Sequence, residues 1–356
     1  MALYINESVS SMSDFMTKLD AFLTTAGAGN PAWTAEDVDG AGNSLDAAAG
    51  EWAISKDDGT ESIQIAAQWD TGSPNALGIY QYQHASGAGN YDNTKLPYTQ
   101  VTDSGNGAAS TTDATLLGER HADIWNTPVQ YWCFTGDTYA HIVVESATGV
   151  FLHFGFGILD KFNDWTGGEY CYGDKFKAAS SFVAVQAEST HLLDGHTTGT
   201  TPAMQNFVAT VHSESLTDSP AGAKWSIVAG NQNTLGNDRQ TSPIARTQFL
   251  GGFRAGTHTM PFGQFAGTIN LGLVPSYPVV VYHWDRDVST TSLQPQSIAA
   301  MGSMKDLRGI MMKNFTARQE VVIGSDTWVL FPTNNLYSGT LSGTSGYQGI
   351  MYKQST

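Results

Sequence analysis

The chain has 356 residues, more than one ordinary domain of ~150 requires, and only 14% of them are charged, against roughly 25% in a typical soluble domain. The charge is one-sided, with 17 Lys and Arg against 33 Asp and Glu for a net −16. A nucleic-acid binder needs a basic face to neutralise phosphates, and adhesion to an anionic membrane needs the same, so neither nucleic acid nor membrane is an expected partner. The 41% hydrophobic content supplies a core, and 38 glycines, well above the usual ~7%, favour turns and strands over a helical bundle.

In chain order, the first periodic segment is helical. Met12, Phe15, Met16, Leu19, Phe22 and Leu23 recur at spacings of three and four and make one apolar stripe. Ser11 or Ser13 can cap its start, Asp14 suits the positive end of the helix, and Gly27 can stop it. Almost everything after it reads in twos. Trp52 and Ile54 alternate with polar neighbours before the turn Asp57-Asp58-Gly59-Thr60, and Ile63, Ile65, Ala67 and Trp69 alternate after it, which predicts a hairpin. A third strand is predicted over residues 77–84, followed by a polar, Gly-rich excursion over 85–115.

Residues 131–172 hold eleven aromatics in 42 positions, about 26%, and are the expected anchor of the core. Within them, residues 141–145 and 150–156 read as paired strands around Ser146-Ala147-Thr148-Gly149. A further strand is predicted over 181–186, short apolar runs occur at 207–211 and 225–228, and a final β-rich stretch covers 278–284, 310–315, 320–323, 327–331 and 347–352. The expected fold class is mainly β, with antiparallel sandwich-like sheets and one amino-terminal α-helix. Residues 1–190 and 191–356 form two segments with a soft boundary, or one domain carrying the Gly/Thr-rich middle as an insertion.

No targeting segment is expected, because residues 1–12 lack a basic start and a long apolar run, and no stretch approaches the ~18 apolar residues that span a bilayer. Cys133 and Cys171 are too few for a disulfide scaffold and read as buried small hydrophobes in a reducing compartment, with a single disulfide as the alternative.

Few constellations point to chemistry. His141 and His153 sit on adjacent predicted strands near both cysteines. A two- or four-residue hairpin loop puts them on opposite faces, and only an odd loop puts them on one. The run Glu36-Asp37-Val38-Asp39-Gly40-Ala41-Gly42 invites calcium but departs from the EF-hand pattern at Ala41 and Ala48, so it reads as a solvated turn. Glu145, Asp160, Asp164 and Glu169 are candidates for a glycosidase pair only if two of them lie ~5–9.5 Å apart. No catalytic residue, cofactor or metal ligand is assigned. Phe249, Phe253, Phe262 and Phe265, dispersed among glycines, are the expected subunit interface, since aromatics are enriched at interface cores.

The stretch Tyr131-Trp132-Cys133-Phe134-Thr135-Gly136-Asp137, then His141-Ile142-Val143-Val144, Phe151-Leu152-His153-Phe154-Gly155-Phe156-Gly157, Lys161-Phe162 and Trp165-Thr166-Gly167-Gly168-Glu169-Tyr170, resembles virion proteins of tailed bacteriophages. The ending Trp328-Val329-Leu330-Phe331-Pro332 and Gly349-Ile350-Met351-Tyr352-Lys353 is similar to the carboxyl ends of the same group. The resemblance covers the first half and the last fifty residues. It implies a non-enzymatic structural component of a virion assembled in the host cytoplasm, at the tail, tail tip or neck, whose partners are copies of itself and other virion proteins. A capsid decoration protein is one alternative, and a tail protein that binds or degrades host-surface glycan is another.

Overall fold

The computed structural model describes residues 3–25, 32–69, 76–83, 122–125, 128–174, 207–213, 225–229, 246–249, 276–285, 297–312, 315–332 and 348–354. The chain opens with strand β1 (Leu3–Ser8) and then the helix α1 (Met12–Thr24). The apolar stripe explains the helix: Met12, Phe15, Met16, Leu19 and Leu23 are all buried, while Ser11 caps the start by accepting a hydrogen bond from the Asp14 amide at 2.9 Å. Gly27, the expected stop, lies outside the described residues.

A six-stranded sheet follows, built from β2 (Thr34–Ala35), β3 (Leu45–Asp46), β4 (Glu51–Asp57), β5 (Ser62–Trp69), β6 (Ala76–Gln83) and β7 (Ala122–Trp125). Its order is β2-β4-β5-β6-β7, with β3 also on β4. The predicted hairpin is β4–β5, with Asp57 opposite Ser62 and Gly59 at φ 89° in the turn between them. Asp20 on α1 ties the helix to this sheet, accepting from the Ser44 hydroxyl at 2.6 Å and the Trp52 indole at 2.9 Å.

The remaining strands are β8 (Gln130–Thr135), β9 (Tyr139–Ala147), β10 (Val150–Ile158), β11 (Asp160–Lys161), β12 (Gly167–Asp174), β13 (Phe207–Ser213) and β14 (Trp225–Ala229). After them come β15 (Arg246–Phe249), β16 (Ser276–Asp285), β17 (Ser297–Met311), β18 (Glu320–Ile323), β19 (Asp326–Pro332) and β20 (Gln348–Gln354). With β1 they form a 14-stranded sheet in the order β1-β8-β9-β10-β12-β13-β14-β15-β16-β17-β20-β19-β18, β11 pairing with β17. Its pairs are antiparallel apart from β14–β15. Strands from both sides of residue 190 therefore share one sheet.

That sheet folds over itself, so β8, β9, β10 and β12 become a middle layer. One face of this layer, with Tyr131, Cys133, Ile142, Phe154 and Phe156, packs on α1 and on Trp52, Ile54 and Ile65 of the smaller sheet. The other face, with Trp132, Phe134, Val143, Tyr170 and Tyr172, packs on Met304, Leu307, Phe331, Ile350 and Tyr352 of the returning carboxyl-terminal strands. Burial on both faces explains the aromatic density of this stretch, because each residue of a doubly covered strand needs an apolar environment. The protein is mainly β, sandwich-like, with α1 the one helix among the described residues.

The strands β2, β3, β7, β8, β11, β12 and β15 are not among those expected, and β17 and β1 differ most tellingly. β17 begins at Ser297 rather than near residue 310 and stops at Met311, before Phe315. Pairing with β16 before Met304 and after Leu307, and with β20 from Leu307 on, holds it as strand without apolar alternation, while Lys305 and Asp306 fall between the paired stretches. β1, which nothing in the local pattern marked, forms because its six residues pair with β8. The expected strand at 181–186 and the excursion at 85–115 lie outside the described residues.

Candidate functional site

The chemistry-bearing side chains converge on the interior between the middle layer and β17, β19 and β20. β9 and β10 are joined by the two-residue loop Thr148-Gly149, which by itself would put His141 and His153 on opposite faces. A bulge reverses this: Ala147 pairs with Val150, but Glu145 pairs with Phe151, leaving Ser146 as the extra residue. His141 then stands opposite Gly155 and His153 opposite Val143, so both imidazoles point to the same face.

Both rings are buried, at 0% and 1% exposure, and both ring nitrogens of each are engaged. Nε2 of His141 is 2.9 Å from the Lys305 carbonyl, which can only accept, so Nε2 carries the proton. Nδ1 of the neutral ring then accepts from the Tyr172 hydroxyl at 3.0 Å. His153 repeats the arrangement, donating from Nε2 to the Pro332 carbonyl at 3.0 Å and accepting at Nδ1 from Tyr352 at 2.7 Å. Burial holds His141 down to about 4, against smaller upward pulls from the Lys305 carbonyl and the Asp306 carboxylate. The ring is neutral at pH 7.

Beside His141 the Tyr139 hydroxyl donates to Asp306 at 2.5 Å, and burial followed by that carboxylate pushes the phenol up. Asp306 has φ 54°, within a bulge where β17 pairing with β16 jumps from Ser303–Val280 to Arg308–Pro278. Asp is among the few residues that accept this left-handed conformation, and the bulge is what turns the Lys305 carbonyl towards His141. Outside this interior, Lys353 stands 3.9 Å from Asp306 and 3.2 Å from Asp326.

The other candidates separate. Glu145 accepts from the Gly149 amide of its own hairpin at 2.8 Å and meets Arg318, from the segment before β18, at 3.4 Å. Glu145 is aligned with Phe151 and Glu169 with Ile158, so seven steps along β10, ~23 Å, separate them, beyond any glycosidase spacing. Asp160 and Asp164 are exposed. In the 36–42 run, Asp37 accepts from the amides of Asp39 and Gly40, and Asp39 from Ala41 and the Asn43 side chain, so these carboxylates serve their own turn. Cys133 and Cys171 are free and buried, and burial pushes both thiols up. They lie on β8 and β12, three strand spacings or ~14 Å apart, so no disulfide can join them.

No group of three His, Cys, Asp or Glu side chains placed to hold a metal ion occurs among the described residues. Phe249 ends β15, paired with Val281, whereas Phe253, Phe262 and Phe265 lie outside the described residues. No helix among the described residues is long and apolar enough to cross a membrane. The buried tyrosines that complete the histidine pair carry no motif, because Tyr172 and Tyr352 reach it from 31 and 199 residues away.

No family model matches the chain, and no curated protein matches it.

Proposed function

We propose that this chain is a non-enzymatic structural component of a tailed-bacteriophage virion, at the tail, tail tip or neck, working by packing against copies of itself and other virion proteins. One observation carries the reading. The two stretches that bear the resemblance, around residues 131–157 and 328–353, are far apart in the chain yet form the two facing layers of one core. Trp132 lies 5.0 Å from Phe331 and Phe134 stacks on Tyr352 at 4.9 Å, between ring centres. The resemblance thus follows a folded unit rather than scattered matches.

The aromatic side chains speak in the same direction. Trp33, Trp52, Trp69, Trp132 and Trp328 are buried, as are Tyr131, Tyr170, Tyr172 and Tyr352, so these rings present no face on which a sugar could stack. That weakens the glycan-binding alternative. The Phe249–Phe265 stretch is the proposed contact with neighbouring subunits.

Mass spectrometry of gradient-purified particles from a phage encoding this chain tests the proposal. Its peptides should co-purify at a fixed ratio to the other virion proteins, and their absence from particles would end the reading. Serine at both Phe253 and Phe262 should leave the chain folded and lower its incorporation. Unfolding by that double replacement would return the stretch to the chain's own core.

A further inference from the structure

We propose that His141 and His153 form an acid-sensitive latch between the two facing layers, whose protonation releases β17, β19 and β20 from β9, β10 and β12 while the helix and the smaller sheet stay folded.

Four side-chain hydrogen bonds between these layers gather around the two histidines, while β11 pairing with β17, the Trp165 indole on the Met301 carbonyl and the Glu145–Arg318 pair link the layers elsewhere without a histidine. His141 donates across the gap to the Lys305 carbonyl of β17, and His153 to the Pro332 carbonyl of β19. Tyr352 of β20 donates back to His153, and Tyr139 of β9 donates to Asp306 of β17. The Tyr352 ring stands between the two imidazoles, 6.0 Å from each centre. His141 thus faces Tyr139 on its own strand, Tyr170 and Tyr172 from β12, Asp306 from β17 and Tyr352 from β20. His153 faces Tyr352 from β20 and Phe331 from β19. Lys353 is directed at Asp306 and Asp326.

Protonation converts each Nδ1 from acceptor to donor, so the phenols of Tyr172 and Tyr352 must turn from giving a proton to receiving one. It also places positive charge in a buried interior. The carboxylate whose field reaches His141 is Asp306, already bonded to Tyr139. The face of the Tyr352 ring attracts a cation, but by less than the cost of desolvating an unpaired charge. Burial already holds His141 against charging, which locates the response below pH 6.5.

Across the other face of the middle layer the core contacts are apolar, Glu61 holds Lys161 and the Gly167 amide, and the helix is tied to the smaller sheet through Asp20, Ser44 and Trp52. No histidine stands among the core residues there. Acid should therefore open one seam first.

Hydrogen exchange of the full chain, read by mass spectrometry between pH 7.5 and 4.5 and corrected for the intrinsic pH dependence of exchange, tests this. Peptides from β17, β19 and β20 should lose protection at least tenfold below pH 6.5, while α1, β4 and β5 keep theirs. In the double variant His141→Gln, His153→Gln, whose side chains donate but do not titrate in this range, the loss should vanish. Uniform loss over all elements, no loss in the parent chain, or an unchanged loss in the variant would each overturn the proposal. If the variant does not fold, nitrogen NMR of labelled histidines in the parent chain decides. The buried rings must charge in the same pH interval in which the three strands open, and charging outside it overturns the latch.

Discussion

The Tyr172 hydroxyl reaches Nδ1 of His141 by crossing over a residue that has no side chain. Gly155 is the register partner of both, opposite Tyr172 on one side and His141 on the other. The phenol spans the intervening strand to make its 3.0 Å bond. A methyl group on Gly155 would stand 2.8 Å from His141 Nδ1 and 2.8 Å from the Tyr172 oxygen. Glycine is required here for close approach.

Gly155→Ala should therefore push the two rings apart and cost ~2–4 kcal/mol, combining overpacking with the lost hydrogen bond. Tyr172→Phe, which removes the bond without crowding, should cost ~1–3 kcal/mol. Urea unfolding of both variants and their combination checks this. Because they disrupt one contact, the double variant should lose less than the sum, and full additivity would separate the glycine from the hydrogen bond.

The charge state of His141 sets a direction for the pH dependence of stability. Its pKa is about 4 in the fold against an ordinary 6.5, so the unfolded chain binds more protons between those values. Its contribution is complete above pH 6.5, falls by ~1.4 kcal/mol per unit as pH drops, and is lost by pH 4, for a total of ~3 kcal/mol. Urea midpoints should decline from pH 7 to 5, and the decline should be shallower in His141→Gln. Equal slopes in the two proteins would remove His141 as a cause.

Glu61 joins the smaller sheet to the larger one. Its buried carboxylate accepts from Lys161 Nζ at 2.9 Å and from the Gly167 amide at 2.7 Å. Glu61→Ala leaves that amide without its acceptor and the ammonium with only the Trp165 carbonyl, and should cost ~2–3 kcal/mol, discounted because Lys161 is partly exposed. Adding Lys161→Ala should restore part of the loss in thermal melts. A double variant as unstable as the summed singles would rule out coupling between the two residues.

The cysteines should be silent in the native protein. Burial raises both thiols and their strands keep them apart, so a disulfide-exchange reagent such as Ellman's should label neither until denaturant is added, and then both. Thermal stability should be the same with and without reductant. Rapid labelling of the folded chain would show that one thiol reaches the surface.

The sequence by itself determined the elements whose signals are local. Helix α1 was legible because a 3.6-residue stripe, a cap and an acidic first turn all fall within 14 residues, and the β4–β5 hairpin because its alternation flanks its own Asp-Gly turn. The aromatic stretch pointed to a core without revealing that both of its faces are covered, since alternation breaks down when each side meets apolar neighbours. What the tertiary structure alone decided is the histidine pair. Parity of a two-residue loop puts His141 and His153 on opposite faces, and the bulge at Ser146, invisible in composition, puts them on one. Their acceptors lie at Lys305 and Pro332, 164 and 179 residues along the chain, brought there by sheet pairing whose hydrogen bonds run through backbone and leave no side-chain pattern to read.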